Sequence, residues 1–228
     1  MPEQSTDDDA STDDDASTGD GQADLFEVMS TCRAIRRLRL DPVPDRLVWR
    51  LIEAANYAPS GRNLQRARWL VVRDPEQRRR IGELNRSASI DHATAARDVS
   101  GDDHQRRRMW DAVLWQSEHM HEAPVIVVAC CIMDDPEQDP GRYASSIWPA
   151  VQNLLLAARA CGLGAAPTTY ALSHREELEA LLDLPATVRA QALIPIGFPA
   201  VAFGPVRRRP IDEVMMIDRW SAQNTPLT

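Results

Sequence analysis

The chain has 228 residues, 43% of them hydrophobic, with 26 Lys and Arg against 34 Asp and Glu. That length suits one domain with arms or tails, and that apolar content is enough for a core. No apolar run approaches the roughly 18 residues of a membrane span, and the N-terminus lacks the apolar core of a signal peptide. The expectation is a soluble cytoplasmic protein with no membrane partner.

The net charge of −8 is concentrated at one end. Residues 1–24 hold nine acids and no base, leaving 25 of the 34 acids against all 26 bases in the rest of the chain. A near-neutral body does not predict a nucleic-acid surface. The tandem STDDDA, STDDDA, STGDG of the first 22 residues cannot bury apolar surface, so residues 1–23 are expected to form a disordered acidic tail. Such a tail is either a solvated appendage or a docking tag for a basic partner.

In chain order, residues 24–36 read as a helix with Leu25, Val28, Met29 and Cys32 on one face. DPVPD (41–45) breaks the chain. Pro44 then opens an amphipathic helix through Ala58, with Leu51, Ile52 and Ala55 on its buried face. Pro59 and Gly61 end it, and residues 67–73 read as a strand. A helix follows from Asp74 to about Asn85, then a polar stretch over 86–103, then a helix over 106–121. VIVVACCIM (125–133) reads as a fully buried strand. After a loop, Ser146 is placed to cap an almost wholly apolar helix that Gly162 stops. Residues 163–169 and 189–197 read as strands, 173–182 as a helix, and 198–220 as an extended arm. Interspersed helices and strands predict an α+β fold of helices around one sheet.

Most motif chemistry is excluded. GLGAAP (162–167) follows a helix and leads into a strand, the reverse of a dinucleotide-binding turn. No Walker A, HExxH or GxSxG pattern occurs. His119 and His121 point to different helix faces, which is wrong for a shared metal. The four cysteines, at 32, 130, 131 and 161, form no CxxC pair, so neither zinc nor a disulfide framework is expected. No nucleophile-and-base set can be assembled, so no catalytic side chain is assigned. What remains is a pair of arginine clusters, at 33, 36, 37 and 39 and at 207–209, and a small polar loop, APSGRNLQ (58–65).

The order RAIRRL (33–38), DPVP, amphipathic helix, APSGRNLQ, strand, SIWPAVQNLLLAARACGLGAAPTT (146–169) and RRRPIDEV (207–214) resembles the FMN-dependent nitroreductase family. The resemblance covers about residues 25–220. It implies a domain over 24–220, a short C-terminal tail at 221–228, and a mixed or antiparallel sheet flanked by helices. It also implies an intertwined homodimer with an extended C-terminal arm and two FMN sites at the interface. Arg33 and the Ala34 backbone would contact the FMN phosphate and ribityl chain, and Arg36 the pyrimidine end of the ring. Pro59, Ser60, Gly61 and Asn63 would come from the other subunit. The Pro167, Thr168 and Thr169 backbone would run beside flavin N5, and Arg207 and Arg209 would close on the phosphate. NAD(P)H is the implied donor, and a nitroaromatic, quinone or similar small molecule the acceptor.

Three departures from the family pattern stand out. Cys32 occupies a position that is often basic, Ala34 one that is often serine, and Arg66-Ala67 replaces a common Pro-Trp-like pair. The 86–123 region reads as a variable insertion over the pocket. Two other readings stay open: an FMN-dependent oxidase or dehydrogenase of a biosynthetic intermediate, and a non-catalytic flavin-binding protein that uses its acidic tail.

Overall fold

The computed structural model of the chain describes residues 24–220. The readings made for residues 1–23 and 221–228 lie outside that range.

A single antiparallel sheet organises the fold. It comprises β1 (Ala67–Val72), β2 (Val125–Ile132), β3 (Gly164–Ala165) and β4 (Val188–Gly197), in the order β1-β2-β4-β3. Side chains alternate along β2. Val127, Ala129 and Cys131 join one core with helices α2 (Asp45–Asn56) and α5 (Ala144–Ala160). Ile126, Val128 and Cys130 join another with α3 (Pro75–Asp98) and α6 (Arg175–Leu181). Apolar residues on both faces explain why β2 reads as a continuous run rather than an alternating one. In β4, Ala190 belongs to the second core but Ala192 to the first. The strand register shifts between them, where Ala129 pairs with Ala192 and Cys130 with Ala190. One extra residue at a bulge reverses which face each side chain meets.

Several elements differ from the sequence expectation. The first helix, α1, runs only over Leu25–Thr31, capped by Asp24, whose carboxylate accepts from the Glu27 N–H at 3.1 Å. Beyond Cys32 the chain is extended, because its backbone groups find partners elsewhere. Ile35 N–H donates to the Ala165 carbonyl at 3.0 Å and Arg39 N–H to that of Phe198 at 2.8 Å. Tertiary pairing here outweighs a modest helical preference. Helix α3 continues to Asp98, well past Asn85. Its continuation carries the small residues Ser89 and Ala93, which are buried and allow the next helix, α4 (His104–His119), to lie close.

Helix α5 begins two residues before Ser146, with no side-chain cap. Ser146 Oγ instead accepts a hydrogen bond from Gly61 N–H at 3.0 Å, tying α5 to the 58–65 loop. The expected 163–169 strand survives only as β3 and as an isolated bridge between Thr168 and Leu193. Pro167 has no N–H to continue the ladder. A short helix, α7 (Ile211–Val214), interrupts the otherwise extended arm.

Gly164 permits the closest approach in this framework. A Cβ there would lie 2.7 Å from Ile35 Cγ2 and 3.0 Å from Leu38 Cδ2. Gly164→Ala is therefore expected to destabilise the fold by about 1–3 kcal/mol through overpacking, read as a lower urea midpoint. An unchanged midpoint would show that the 33–38 segment yields freely. The thiols offer a second check. Burial pushes Cys130 up to about 12 and also raises Cys131. Cys32 and Cys161 are only partly buried. Because the thiolate is the reactive form, a thiol reagent at pH 8 should label at most Cys32 and Cys161 in the native chain, and all four cysteines after unfolding.

Candidate functional site

Arg36 lines a cavity of about 260 Å³. Its Nε donates to Gln116 Oε1 at 3.0 Å, and Gln116 Nε2 donates in turn to the Ala166 carbonyl at 3.0 Å. One buried amide thus fixes both the guanidinium and the backbone that leads into Pro167. Burial pushes Arg36 below its ordinary value, opposed by Tyr170. An arginine starts so high that it stays charged.

Asn85, Ser117 and Thr168 give the cavity a buried polar lining. Thr168 Oγ1 donates to Asn85 Oδ1 at 3.0 Å, and Ser117 Oγ accepts from Ser89 Oγ behind it at 2.7 Å. Trp148 and Tyr170 complete the lining, with Pro167, Thr168 and Thr169 along one side.

Pro167 also lines a second cavity, of about 300 Å³, so the two cavities adjoin at that residue. Arg33, Arg159 and Arg208 all line this second space, together with Cys32, Ala34 and Phe203. Among the described residues, no carboxylate lines it. Arg33 is anchored by donation from Nη2 to the Ala202 carbonyl at 3.0 Å, which also holds the start of the C-terminal arm. Val206 N–H donates to the Ser30 carbonyl at 2.8 Å and continues that attachment.

The APSGRNLQ loop occupies a different place. Ser60 and Gln65 line a cavity of about 700 Å³, with Trp49 and Trp69 between α2 and β1. Arg62, Asn63 and Gln65 have φ of 52°, 54° and 48°. Left-handed backbone at non-glycine residues costs on the order of 1–3 kcal/mol each, and persists only where surroundings impose it. Two bonds impose it here: Gln65 N–H donates to Ser60 Oγ at 3.0 Å, and Gly61 N–H to Ser146 Oγ. Gly61, Arg62, Asn63 and Leu64 are consequently held at the surface.

Within one chain, then, Arg33, Ala34, Arg36, Pro167, Thr168 and Thr169 gather around the adjoining cavities. Pro59, Ser60, Gly61 and Asn63 do not line them. Arg207 and Arg209 do not either: both are exposed, with Arg209 3.7 Å from Glu213. Arg208, between them, does. Sequence reading missed Gln116, Ser117, Asn85 and Ser89. A signal for them existed. Gln116 and Ser117 share a helical stripe with Val113 and Met120, and Asn85 and Ser89 one with Ile81 and Ala93, so polar residues interrupt buried stripes. Arg208 belongs to the arginine cluster at 207–209 that the sequence shows, though its neighbours Arg207 and Arg209 were the residues assigned; Arg159 carried no local signal, since it sits alone in an apolar helix.

Among known proteins, the sequence profile described as the nitroreductase family matches residues 30–198. A protein named NADH dehydrogenase from Thermus thermophilus is 32% identical over 195 residues, covering 81% of this chain and 91% of that protein. One named iodotyrosine deiodinase from Thermotoga neapolitana is 28% identical over 179 residues, covering 77% and 88%. A crystal structure described as a putative nitroreductase in complex with FMN, from Desulfovibrio desulfuricans, superimposes with a TM-score of 0.63. It is 26% identical and covers 86% of this chain and 98% of that one. With a matched profile spanning most of the sheet and the adjoining cavities, the chain belongs to the nitroreductase family.

Proposed function

We propose that this chain is an FMN-dependent oxidoreductase that carries electrons from a reduced nicotinamide to a small organic acceptor such as a nitroaromatic or a quinone. The observation that most supports this is the distribution of positive charge along two adjoining cavities. One holds a single half-buried guanidinium, Arg36, fixed by Gln116. The other gathers three guanidinium groups and, among the described residues, no carboxylate. A flavin mononucleotide presents a ring that gains negative charge on reduction at one end and a phosphate at the other, and the donor sets fit that order. The family membership and the FMN-bound relative support the same cofactor.

When bound, FMN supplies two-electron transfer at N5 between donor and acceptor, so the protein needs no side-chain acid or base. The residues hold and tune. Arg36 would face the pyrimidine end and favour the reduced, negatively charged ring. Arg33 and the Ala34 backbone would hold the phosphate and ribityl chain. The Pro167–Thr169 backbone would edge the ring, and Trp148 and Tyr170 would limit water.

A homodimer belongs to this reading. Phe26, Trp49 and Tyr57 are each 74% exposed, an apolar surface on α1 and α2 that a second copy would cover. β1 is also a sheet edge. The strained 58–65 loop would then serve the partner's flavin through Ser60, Gly61 and Asn63, with Pro59 setting its start, and Arg207 and Arg209 would close on phosphate in the assembled dimer.

A second acceptor class has specific support. The relative named iodotyrosine deiodinase aligns over 77% of this chain. A halogenated phenol, reduced with loss of halide, is the acceptor that name suggests.

The deciding measurement is the visible spectrum of the purified chain, followed by anaerobic NADPH or NADH. The expected result is a yellow protein that bleaches. Reoxidation by a nitroaromatic, a quinone or 3-iodotyrosine then assigns the acceptor. A colourless protein that refuses added FMN would sink the proposal. Arg36→Ala should lower the bound flavin's potential by roughly 30–60 mV, equivalent to about 1.5–3 kcal/mol for a two-electron couple. Light scattering should return twice the 25.5 kDa chain mass.

A further inference from the structure

Arg159 sits in the last turn of α5, where a cation is favoured by the helix dipole. Its side chain is only 16% exposed. Its polar partners are few. Nε donates to Thr31 Oγ1 at 2.9 Å, and the nearest carboxylate, Glu27, is 3.6 Å from Nη2 and largely solvated. Phe203 stacks on the guanidinium at 4.4 Å and orients it. Arg159 lines the same cavity as Arg33 and Arg208; burial raises the Cys32 thiol there, and the charge of Arg159 opposes that rise.

Three like charges surround a concave space of about 300 Å³, and among the described residues no acid lines it; Glu27, 3.6 Å from Arg159 and largely solvated, offsets only one of them. Arg33 uses Nη2 on the Ala202 carbonyl, and Arg208 uses Nη1 on the Arg207 carbonyl. Each guanidinium retains other donors. A dianion with several acceptor oxygens answers this arrangement better than a carboxylate, because charge-assisted bonds from separate guanidinium groups can reach different oxygens.

We infer that Arg159, together with Arg33 and Arg208, forms the binding site for a phosphate monoester. Position 32 offers a thiol there, and α5 brings a cation to the same cavity through Arg159. This rests on the flavin reading, in which the monoester is the phosphate of FMN. The same chemistry would also accept inorganic phosphate.

The test uses the full chain and measures dissociation constants of FMN and of riboflavin by quenching of flavin fluorescence. Wild type should prefer FMN, and added inorganic phosphate should weaken FMN binding without affecting riboflavin. Arg159→Gln should weaken FMN on the order of 10- to 100-fold, the loss expected for a charged hydrogen bond, and leave riboflavin unchanged. Arg159→Lys keeps the charge but loses the planar fork, and should show a smaller loss of the same selectivity. If Arg159→Gln fails to fold, Arg159→Lys decides. Equal weakening of both flavins would mean that Arg159 only ties α5 to α1, and wild-type FMN affinity would mean that it does not touch the phosphate. Either overturns the assignment while the flavin reading stands. A wild-type chain that takes up neither flavin overturns both.

Discussion

The backbone bond from Ile35 N–H to the Ala165 carbonyl holds the two halves of the site together. It stops the first helix at Thr31 and lays residues 33–39 beside the end of the sheet. The contact is possible because Gly164 has no side chain, and any Cβ there would meet Ile35. Arg33 and Arg36, three positions apart on a non-helical segment, then line two neighbouring cavities that adjoin at Pro167. Had the helix continued, both would have followed the helical repeat instead.

Electrostatics and hydrogen bonding divide the work between those cavities. In the first, one charge is held rigidly. Gln116 bonds both Arg36 and the Ala166 carbonyl, so helix α4 and the segment after β3 cannot move independently of the guanidinium. In the second, three charges share a wall and are anchored from three elements: the 33–39 segment, α5 and the arm. A fixed single charge suits tuning of a bound ring, while clustered charge suits retention of an anion.

The strained loop at 58–65 shows the same economy. Its left-handed residues are held by Ser60 and Ser146, small hydroxyls whose bonds keep Asn63 and Gly61 at the surface, away from their own chain's Arg36 cavity. Backbone strain retained at an exposed, polar loop has a rationale if another surface meets it. The apolar residues of α1 and α2 supply a reason for one to do so.

Much of the fold was legible in the chain. Hydrophobic period located α2, α5, β1, β2 and β4, because each buries a regular stripe or a continuous run whose spacing is set by local geometry. The ordered motifs around 33–38, 58–65 and 146–169 identified the family. The limits of α1, β3 and α3 were not legible. They depend on partners far away in sequence: Ala165 and Phe198 for residues 35–39, Leu193 for Thr168, and α4 for the small residues after Asn85. The sequence alone determined which residues must be buried and which arginines were in excess. Only the tertiary structure decided that Arg159 and Arg208 join Arg33, and that Gln116 holds Arg36, because charge proximity is a property of folded distance and local periodicity carries no record of it.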